Sequence, residues 1–278
     1  MTAAPVLTDQ EQAALAIGAL AADSLVREVE TWPKPGLVSH IDDGAHEDMN
    51  ADLLRRSARA LEPFFVDLAA AGAAGAEMDR LRAIGIAAEA AMRVETGGVN
   101  THRGAIFGMG LLCAAAGFRH RYGATVTLGQ IVANCWGPAI VAGPIELHSH
   151  GSVVARRYNS GGARAEAALG FPSIYTIALP ALTQGRRLGG DEQAARVHAC
   201  MALIATVEDS NLLYRGGPAG LAFARQQAAR FLEGGGVDMA DWRSRAAAIH
   251  DAFVARRLSP GGCADLLAMA LFVETIER

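Results

Sequence analysis

The sequence has few aromatic residues, no excess of positive charge and no long apolar segment, and each absence excludes a class of protein. Aromatic residues make up 6% of the 278 residues, and no basic run contains interleaved aromatics. This argues against a surface on which nucleic-acid bases stack. The net charge of −4 provides no positive field for a polyanion. We therefore expect no nucleic-acid partner.

Signals for membrane insertion and secretion are also missing. No apolar run reaches the roughly 20 residues that a membrane-spanning helix needs. The first residues, MTAAPVLTDQEQ, contain neither a basic region nor a signal-peptide core. The cysteines are scattered, without a CxxC pair, among apolar or small residues, which is typical of buried free thiols in a reducing compartment: Cys113, Cys135, Cys200 and Cys263. We expect a cytoplasmic protein without membrane association.

Helical periodicity dominates the chain. Thr8 with Glu11 has the spacing of a capping box, Asn50 is a candidate N-cap, and Thr127 with Gln130 repeats the capping-box spacing. Further helices are predicted at 77–95, 104–121, 191–207, 218–233, 239–257 and 260–277, the last with Ser259 as its cap. Only ATVTL and SIYTIAL resemble strands, which is too little for a sheet. The sequence therefore predicts an all-α fold, a single domain over 1–278 built as a multi-helix bundle with glycine-rich active-site loops.

Five polar segments interrupt the helices, at 32–50, 96–104, 148–166, 208–217 and 259–267. Each mixes glycine with charged or amide residues, and each has a structural alternative when it is taken alone. Lys34 can be a solvated loop lysine, Asp265 a helix N-terminal carboxylate, and His148 with His150 an HxH pair whose rings point to different faces of a helix. Their shared composition predicts that the segments converge on one end of the bundle.

The residue types in these segments fit a polyphosphate ligand. Glycines let backbone N–H groups approach an anion, and helix N-termini add a favourable dipole. The cations that would bind phosphate are Lys34, Arg103, Arg164 and Arg215. The carboxylates that would suit Mg²⁺ held jointly with phosphate oxygens are Asp48, Asp209 and Asp265. No GxxxxGK[ST] motif occurs, so a nucleotide would be bound outside the common nucleotide-binding folds.

The motifs of these segments resemble the triphosphoribosyl-dephospho-CoA synthases. The matching stretches are WPKPGLV with GAHEDM, GGVNTHRGAIF, HG followed by GGARAEAALGFP, EDSNLLYRGG and SPGGCADLLA, in order from residue 32 to 268. The wording TWPKPGLVSH is more similar to the malonate decarboxylase branch than to the citrate lyase branch. One departure is Ala45, where the family resemblance leads us to expect a serine before the histidine.

The resemblance implies a reaction between ATP and 3′-dephospho-CoA. Adenine is released, and the triphosphoribosyl group becomes linked to a ribose hydroxyl of dephospho-CoA. The product is the prosthetic-group precursor of malonate decarboxylase or citrate lyase, and a carrier-protein transferase uses it. Mg²⁺ is the implied cofactor, and a homo-oligomer is compatible with the sequence.

The resemblance also implies a set of site residues. The candidate catalytic residues are His46, Asp48, His102 and Glu166; the base at the acceptor hydroxyl is left open among Asp48, Glu166 and His46, and the acid for adenine between His102 and His150. The candidate substrate-binding residues are Lys34, Gly36, Asn100, Arg103, Gly104, His150, Arg164, Asn211, Arg215, Gly216 and Gly217. The candidate magnesium ligands are Asp48, Glu208, Asp209 and Asp265.

Two other functions compete with the transferase. An all-α, magnesium-dependent hydrolase of a nucleotide or ADP-ribosyl bond would share the carboxylates and the cations but would use water as its acceptor. A non-catalytic helical module that binds CoA or a nucleotide would need the basic segments but not the carboxylates. The identity of the reaction products discriminates among the three.

Overall fold

The computed structural model describes residues 7–144 and 150–278, and the regular secondary structure of this part of the chain is entirely helical, without a β-strand. The α-helices are α1 (Asp9–Val29), α2 (Ala51–Ala73), α3 (Met78–Glu95), α4 (Arg103–Tyr122), α5 (Leu128–Ala142), α6 (His150–Tyr158), α7 (Gly162–Ala168), α8 (Leu179–Gly189), α9 (Glu192–Thr206), α10 (Ser210–Glu233), α11 (Trp242–Val254) and α12 (Gly261–Glu277). A π-helical turn at Ile174–Ala178 precedes α8, and a short 3-10 turn at Gly236–Asp238 precedes α11. The predicted all-α fold is confirmed.

The predicted helix starts are confirmed at three positions. Thr8 and Glu11 form the complete capping box of α1, and Thr127 with Gln130 forms that of α5. The side chain of Asn50 accepts a hydrogen bond from the Leu53 N–H at the start of α2. Each cap satisfies amide groups that the first turn of a helix leaves without a partner. These short-range signals therefore fixed the starts of α1, α2 and α5.

Helices α4 and α12 lie at the centre of the molecule. Both are apolar almost all round, and their buried residues run through successive turns without a polar face. A helix of this kind has to be covered on all sides. Helix α4 contacts α1, α2, α3, α5 and α12, and α12 also contacts α1 and α9. A contiguous apolar core joins residues from α1 to α12, so the polar segments are displaced to the edge of this core.

Some predicted boundaries were wrong. The segment 148–166 contains α6 and α7, and the segment 208–217 is helical from Ser210. Helix α10 is interrupted at Gly217, whose φ of 59° and ψ of −165° are not helical, and Pro218 starts the continuation. Ser259 does not cap α12, because Pro260 occupies the cap position and the Ser259 hydroxyl bonds to His46 instead. Cys135 is exposed, unlike the other cysteines, so its predicted burial was also wrong.

Candidate active site

The five polar segments contribute to the wall of a cavity of about 1870 Å³. Its wall includes residues from all five segments and one face each of α3 and α4. The cavity wall contains most of the residues singled out in the sequence: His46, Asp48, Asn100, His102, Arg103, Gly104, Arg164, Glu166, Glu208, Asp209, Asn211, Arg215 and Asp265. Lys34, Gly36, Gly216 and Gly217 are not part of this wall, and the side chain of His150 lies outside the described residues, as does His148.

Asp265 lines the cavity beside the first turn of α4. A Cβ at Gly104 would lie 2.1 Å from Asp265 Oδ2, so only glycine allows the carboxylate this position. In the described part of the chain, no hydrogen bond or ion pair reaches the Asp265 carboxylate. Burial raises the pKa of Asp265 well above its usual range, and repulsion from Glu28 and Asp209 adds to the rise. This carboxylate lacks the counter-charge that a bound cation would supply.

Lys34 lies beneath the cavity wall and does not reach its surface. Its side chain is fully buried, and its ammonium group forms an ion pair with Glu28. Glu28 itself contributes to the cavity wall. The expectation that Lys34 binds phosphate is therefore corrected: a buried ammonium needs a carboxylate partner, and Lys34 has one that holds it away from the ligand space.

Asp209 acts as the cap that joins two helices. Its Oδ1 accepts hydrogen bonds from the N–H groups of Asn211, at 2.8 Å, and Leu212, at 3.0 Å. Its Oδ2 accepts from the Cys263 N–H in the first turn of α12, at 2.8 Å. Burial nevertheless raises the pKa of Asp209, because the three N–H groups offset only part of the desolvation. Its oxygens are already used in fixing α12 to α10.

His46 belongs to a hydrogen-bonded group at one side of the cavity. Its Nδ1 lies 3.3 Å from Arg215 Nη2, and because a guanidinium can only donate, Nδ1 accepts. Nε2 then carries the proton and donates to Ser259 Oγ, at 2.9 Å. Burial and the Arg215 charge lower the pKa of His46, although the nearby Asp48 carboxylate opposes this. His46 is therefore a neutral imidazole that orients Arg215.

Arg215 is held over this group by backbone carbonyls. It donates to the carbonyl of Ala45, at 3.1 Å, and to that of Arg257, at 3.2 Å. The contact at position 45 is made by the main chain, so the alanine in place of the expected serine does not remove it. Asp48 is exposed at the rim, with Oδ1 3.5 Å from His46 Nδ1.

His102 stands at the N-terminus of α4, at the end of the TGGVNTHRG segment. Its Nδ1 is 2.8 Å from Ser57 Oγ, which is 2.7 Å from Thr101 Oγ1. When Thr101 donates to Ser57 and Ser57 donates to Nδ1, the imidazole carries its proton on Nε2. Burial lowers the pKa of His102 to about 4, so the ring is neutral at physiological pH. It can donate a hydrogen bond, but the expectation of an imidazolium acid for adenine does not fit this environment.

The neighbouring Asn100 and Arg103 shape the same turn. Asn100 Oδ1 accepts a hydrogen bond from the Arg103 N–H, at 3.3 Å. The Arg103 guanidinium lies 3.2 Å from Glu89 of α3 and faces the cavity. Gly97 and Gly98 have positive φ values of 63° and 96°, which glycine adopts without strain. The turn therefore places an arginine and a neutral histidine on the same side of the ligand space.

The segment 148–166 contributes Arg164 and Glu166 in different ways. Arg164 donates to carbonyl groups at the C-terminal end of α5, among them those of Gly143, at 2.9 Å, and Pro144, at 2.8 Å. It caps that helix end and also forms part of the cavity wall, and its role in binding phosphate stays a prediction. Glu166 accepts from the N–H and hydroxyl of Ser173, at 2.8 and 3.1 Å, and burial raises its pKa.

Three predicted substrate-binding glycines have packing roles instead. At Gly36, whose φ is +66°, a Cβ would lie 2.0 Å from the Leu258 carbonyl oxygen. At Gly216, a Cβ would lie 2.6 Å from the Leu258 side chain. Gly217 provides the non-helical residue that interrupts α10. These positions are glycine because neighbouring chain segments approach closely or the backbone turns, and their assignment as ligand contacts is corrected.

Two cavity residues were missed in the sequence. Glu28 is 8% exposed and lies on the buried face of α1 with Ala21 and Leu25. A carboxylate on the apolar face of a helix is rare unless it is paired, so its position in the sequence was the signal that could have identified it. Arg225 of α10 lines the cavity, donates to the Thr206 carbonyl at 3.0 Å, and has a buried Nε without a hydrogen-bond partner. No carboxylate partner of Arg225 is found among the described residues.

The carboxylates do not form a complete metal site. Within 7–144 and 150–278, no group of three or more His, Cys, Asp or Glu side chains is arranged to hold a metal ion. Asp265 offers a carboxylate without a protein partner, Asp48 and Glu208 are exposed at the rim, and Asp209 is used as a cap. A metal ion bound beside Asp265 would therefore need most of its ligands from a bound substrate and from water.

The helices and the cavity define an all-α protein with a large site whose wall carries both charged and apolar residues. The family model for ATP:dephospho-CoA triphosphoribosyl transferase matches residues 14–278. A protein of Pseudomonas aeruginosa (strain UCBPP-PA14) named "Probable 2-(5''-triphosphoribosyl)-3'-dephosphocoenzyme-A synthase" is 40% identical over 92% of this chain and 89% of its own length. Two further relatives carry the same name. The protein of Pseudomonas putida is 39% identical over 93% of both chains, and that of Azotobacter vinelandii is 38% identical over 93% of this chain and 90% of its own length. The chain belongs to the triphosphoribosyl-dephospho-CoA synthase family of transferases.

Neither a solved structure nor, in the described part of the chain, a membrane-spanning helix adds to this assignment. No solved structure matches the chain. None of the described helices is both long and apolar enough to cross a membrane.

Proposed function

We propose that the chain transfers the triphosphoribosyl group of ATP to the 2′-hydroxyl of 3′-dephospho-CoA and releases adenine. The family and the names of the relatives support the two substrates and the product. The observation in the structure that carries the proposal is the size of the cavity, about 1870 Å³. A cavity for one drug-sized ligand occupies roughly 300–1,000 Å³. The larger space suits two nucleotide-sized molecules side by side.

The proposed reaction is a pentosyl transfer. The bond between the acceptor oxygen and C1 of the ATP ribose forms, and the bond between C1 and N9 of adenine breaks. The hydroxyl proton is lost by the acceptor and is finally carried by adenine, so the charges balance and nothing is oxidised or reduced. The triphosphate remains intact on the product. Positive charge develops at C1 in the transition state, as in the cleavage of a glycosidic bond.

Glu166 is the group that we propose as the base for the acceptor hydroxyl. Its carboxylate lines the cavity, and burial raises its pKa towards neutrality. A base whose pKa lies nearer to the working pH takes a proton more effectively in the transition state. Ser173 holds the carboxylate through two hydrogen bonds and thereby fixes its direction. His102 supplies an N–H group for a nitrogen of the departing adenine.

The triphosphate is held in this proposal by cations from α4 and α10: Arg103, Arg215 and Arg225. Asp265 is the proposed protein ligand of Mg²⁺. The raised pKa of Asp265 supports this, because a buried carboxylate that lacks a counter-charge gains most from a divalent cation. A Mg²⁺ ion held there would neutralise part of the phosphate charge. Asp209 joins the first turn of α12 to that of α10 and thereby helps to position Asp265, while Lys34 neutralises Glu28 from beneath the wall.

The decisive experiment follows the products of ATP and 3′-dephospho-CoA incubated with the protein and Mg²⁺. Mass spectrometry should detect adenine and a triphosphoribosylated dephospho-CoA in equal amounts. CoA should be a poor acceptor, because its 3′-phosphate neighbours the attacking hydroxyl. Adenine release that continues at the same rate without an acceptor would indicate a hydrolase, and formation of ADP or AMP without adenine would contradict the transfer.

We further propose that the product serves a malonate decarboxylase. The support is the similarity of TWPKPGLVSH to that branch of the family. The test supplies the purified product and a carrier-protein transferase to the acyl carrier proteins of malonate decarboxylase and of citrate lyase. Modification of the first carrier at the higher rate is expected, whereas preference for the second would reverse the assignment.

A further inference from the structure

The wall of the cavity changes from charged to apolar along α3. One face of this helix lines the cavity over its whole length, with Leu81 and Ile86 in the first half and Glu89 and Arg93 in the second. At about 1.5 Å per residue, the eight residues from Leu81 to Glu89 span about 12 Å. The cavity is therefore long enough for different parts of one extended ligand to meet different surfaces.

The apolar end carries large side chains that are unusually exposed. Ile86 of α3 is 64% exposed, Val141 of α5 is 68% exposed, and Leu169 at the end of α7 is 72% exposed. All three belong to the wall of the cavity. Burying such side chains against an apolar ligand is favourable at about 25 cal/mol per Å², and grouped apolar exposure of this kind marks a binding surface.

Helix α5 contacts both of the other helices that provide these side chains, α3 and α7. Gly143, just after α5, lies against the guanidinium of Arg82 on α3, and the α5 residue Gly137 lies against the Ala168 carbonyl of α7. Ala163 and Gly85 also form part of the wall, and a Cβ at Gly85 would meet no atom within 4 Å. The apolar end is therefore an open groove between α3, α5 and α7 rather than a packed contact.

The arginines that reach this groove are already bound by the protein. Arg82 is paired with Asp79, and Arg164 caps α5 through carbonyl groups. Helix α4 leads from the charged end to this groove: Gly104 lies beside Asp265, while Gly108 and Leu111 line the cavity one and two turns further on. The part of a ligand that lies here should be extended, mainly apolar and continuous with a part at the charged end.

We infer that the groove between Ile86, Val141 and Leu169 binds the pantetheine arm of the acceptor. This arm is a chain of methylene groups, amides and a gem-dimethyl carbon, joined to the adenosine diphosphate part of dephospho-CoA. The inference rests on the proposed function for the identity of the acceptor. The adenosine diphosphate part then lies towards the charged end of the cavity, and the apolar contacts distinguish dephospho-CoA from nucleotides that lack the arm.

The test compares binding of 3′-dephospho-CoA and of ADP, which is the same nucleotide without the arm. Isothermal titration calorimetry measures both affinities for the wild type and for the double variant Ile86→Ser/Leu169→Ser. The substitution should raise the Kd of dephospho-CoA roughly tenfold and leave the Kd of ADP unchanged. Val94→Ser is the matched control, because Val94 is 85% exposed on α3 and is not part of the cavity wall. It should change neither affinity.

The inference is overturned if the double variant leaves the Kd of dephospho-CoA unchanged, or if it weakens the binding of dephospho-CoA and of ADP equally. It is also overturned if the double variant, but not Val94→Ser, changes the molar mass measured by light scattering, because the groove would then be an interface between copies of the chain. Binding is measured without turnover. A wild type that binds dephospho-CoA through the arm but releases no adenine would therefore contradict the proposed function and not this inference.

Discussion

At the scale of single residues, His102 gives a prediction about stability and pH. Burial lowers its pKa to about 4, whereas an exposed histidine titrates near 6.5. Between these values the unfolded chain binds more protons, so the stability from neutral His102 is complete above about pH 6.5 and is lost as the pH falls towards 4. The loss amounts to about 3 kcal/mol at most.

Urea unfolding of the wild type and of His102→Gln, from about pH 7 down to about pH 5, measures this contribution. The glutamine can still hydrogen-bond to Ser57 but does not titrate, so its unfolding free energy should fall less steeply with acidification. Equal slopes for the two proteins would show that His102 is not held in the neutral form.

Asp209 and Asp265 should respond differently to the same substitution. Asp209→Asn places an amide N–H or a weaker acceptor against the three N–H groups that the carboxylate now binds. It should lower the free energy of unfolding by about 1–3 kcal/mol. Asp265→Asn removes an unpaired buried charge, so its stability should be equal or higher, but adenine release should fall roughly 100-fold or more.

Chemical denaturation and initial rates of adenine release, measured on both variants, separate the two roles. High Mg²⁺ should restore only part of the rate of adenine release in Asp265→Asn, because the carboxylate is also expected to fix the position of the ion. An Asp265→Asn protein with a normal rate and lowered stability would assign Asp265 to the structure alone.

At the scale of helices, glycine sets how closely α2 and α4 approach. A Cβ at Gly117 of α4 would lie 1.9 Å from the Ala69 carbonyl oxygen, and a Cβ at Gly72 of α2 would lie 1.9 Å from that of Ala114. Gly117→Ala should therefore lower the unfolding free energy by about 1–3 kcal/mol, because the backbones have to separate. Gly85→Ala in α3 is the control, because an added Cβ there would meet no atom within 4 Å. Alanine has the better helix propensity, so this substitution should raise the unfolding free energy by up to about 1 kcal/mol. The midpoints of urea denaturation are measured for both variants. An equal effect of the two substitutions would contradict close packing of α2 against α4.

The same scale shows which elements the sequence can predict. Capping boxes at Thr8 and Thr127 are local, because the bonding partners lie within one turn, and both were predicted. Ser259 was misassigned because its partner, His46, is 213 residues away and competes with the local cap. Helices α6 and α7 were missed because their glycines and polar residues mask the period of such short helices.

At the scale of the whole molecule, the sequence predicted the ingredients of the site better than their arrangement. Charged residues of all five polar segments do line the cavity. Which carboxylate stays without a partner depends on contacts between distant elements: Lys34 neutralises Glu28 of α1, Cys263 of α12 donates to Asp209, and nothing in the described chain neutralises Asp265. Residue type alone gives the same expectation for Asp209 and Asp265, although their environments differ.

The whole cavity also predicts the order of events in the reaction. A space of about 1870 Å³ can hold ATP and dephospho-CoA together, and direct attack of the hydroxyl on C1 requires both to be present before adenine leaves. Initial rates at several fixed concentrations of each substrate should therefore give intersecting double-reciprocal lines. Without dephospho-CoA, labelled adenine should not be exchanged into ATP, because no triphosphoribosyl group has yet been transferred. Parallel lines together with adenine exchange would instead require a covalent intermediate on a cavity carboxylate such as Glu166, since a first product would then be released before the acceptor binds.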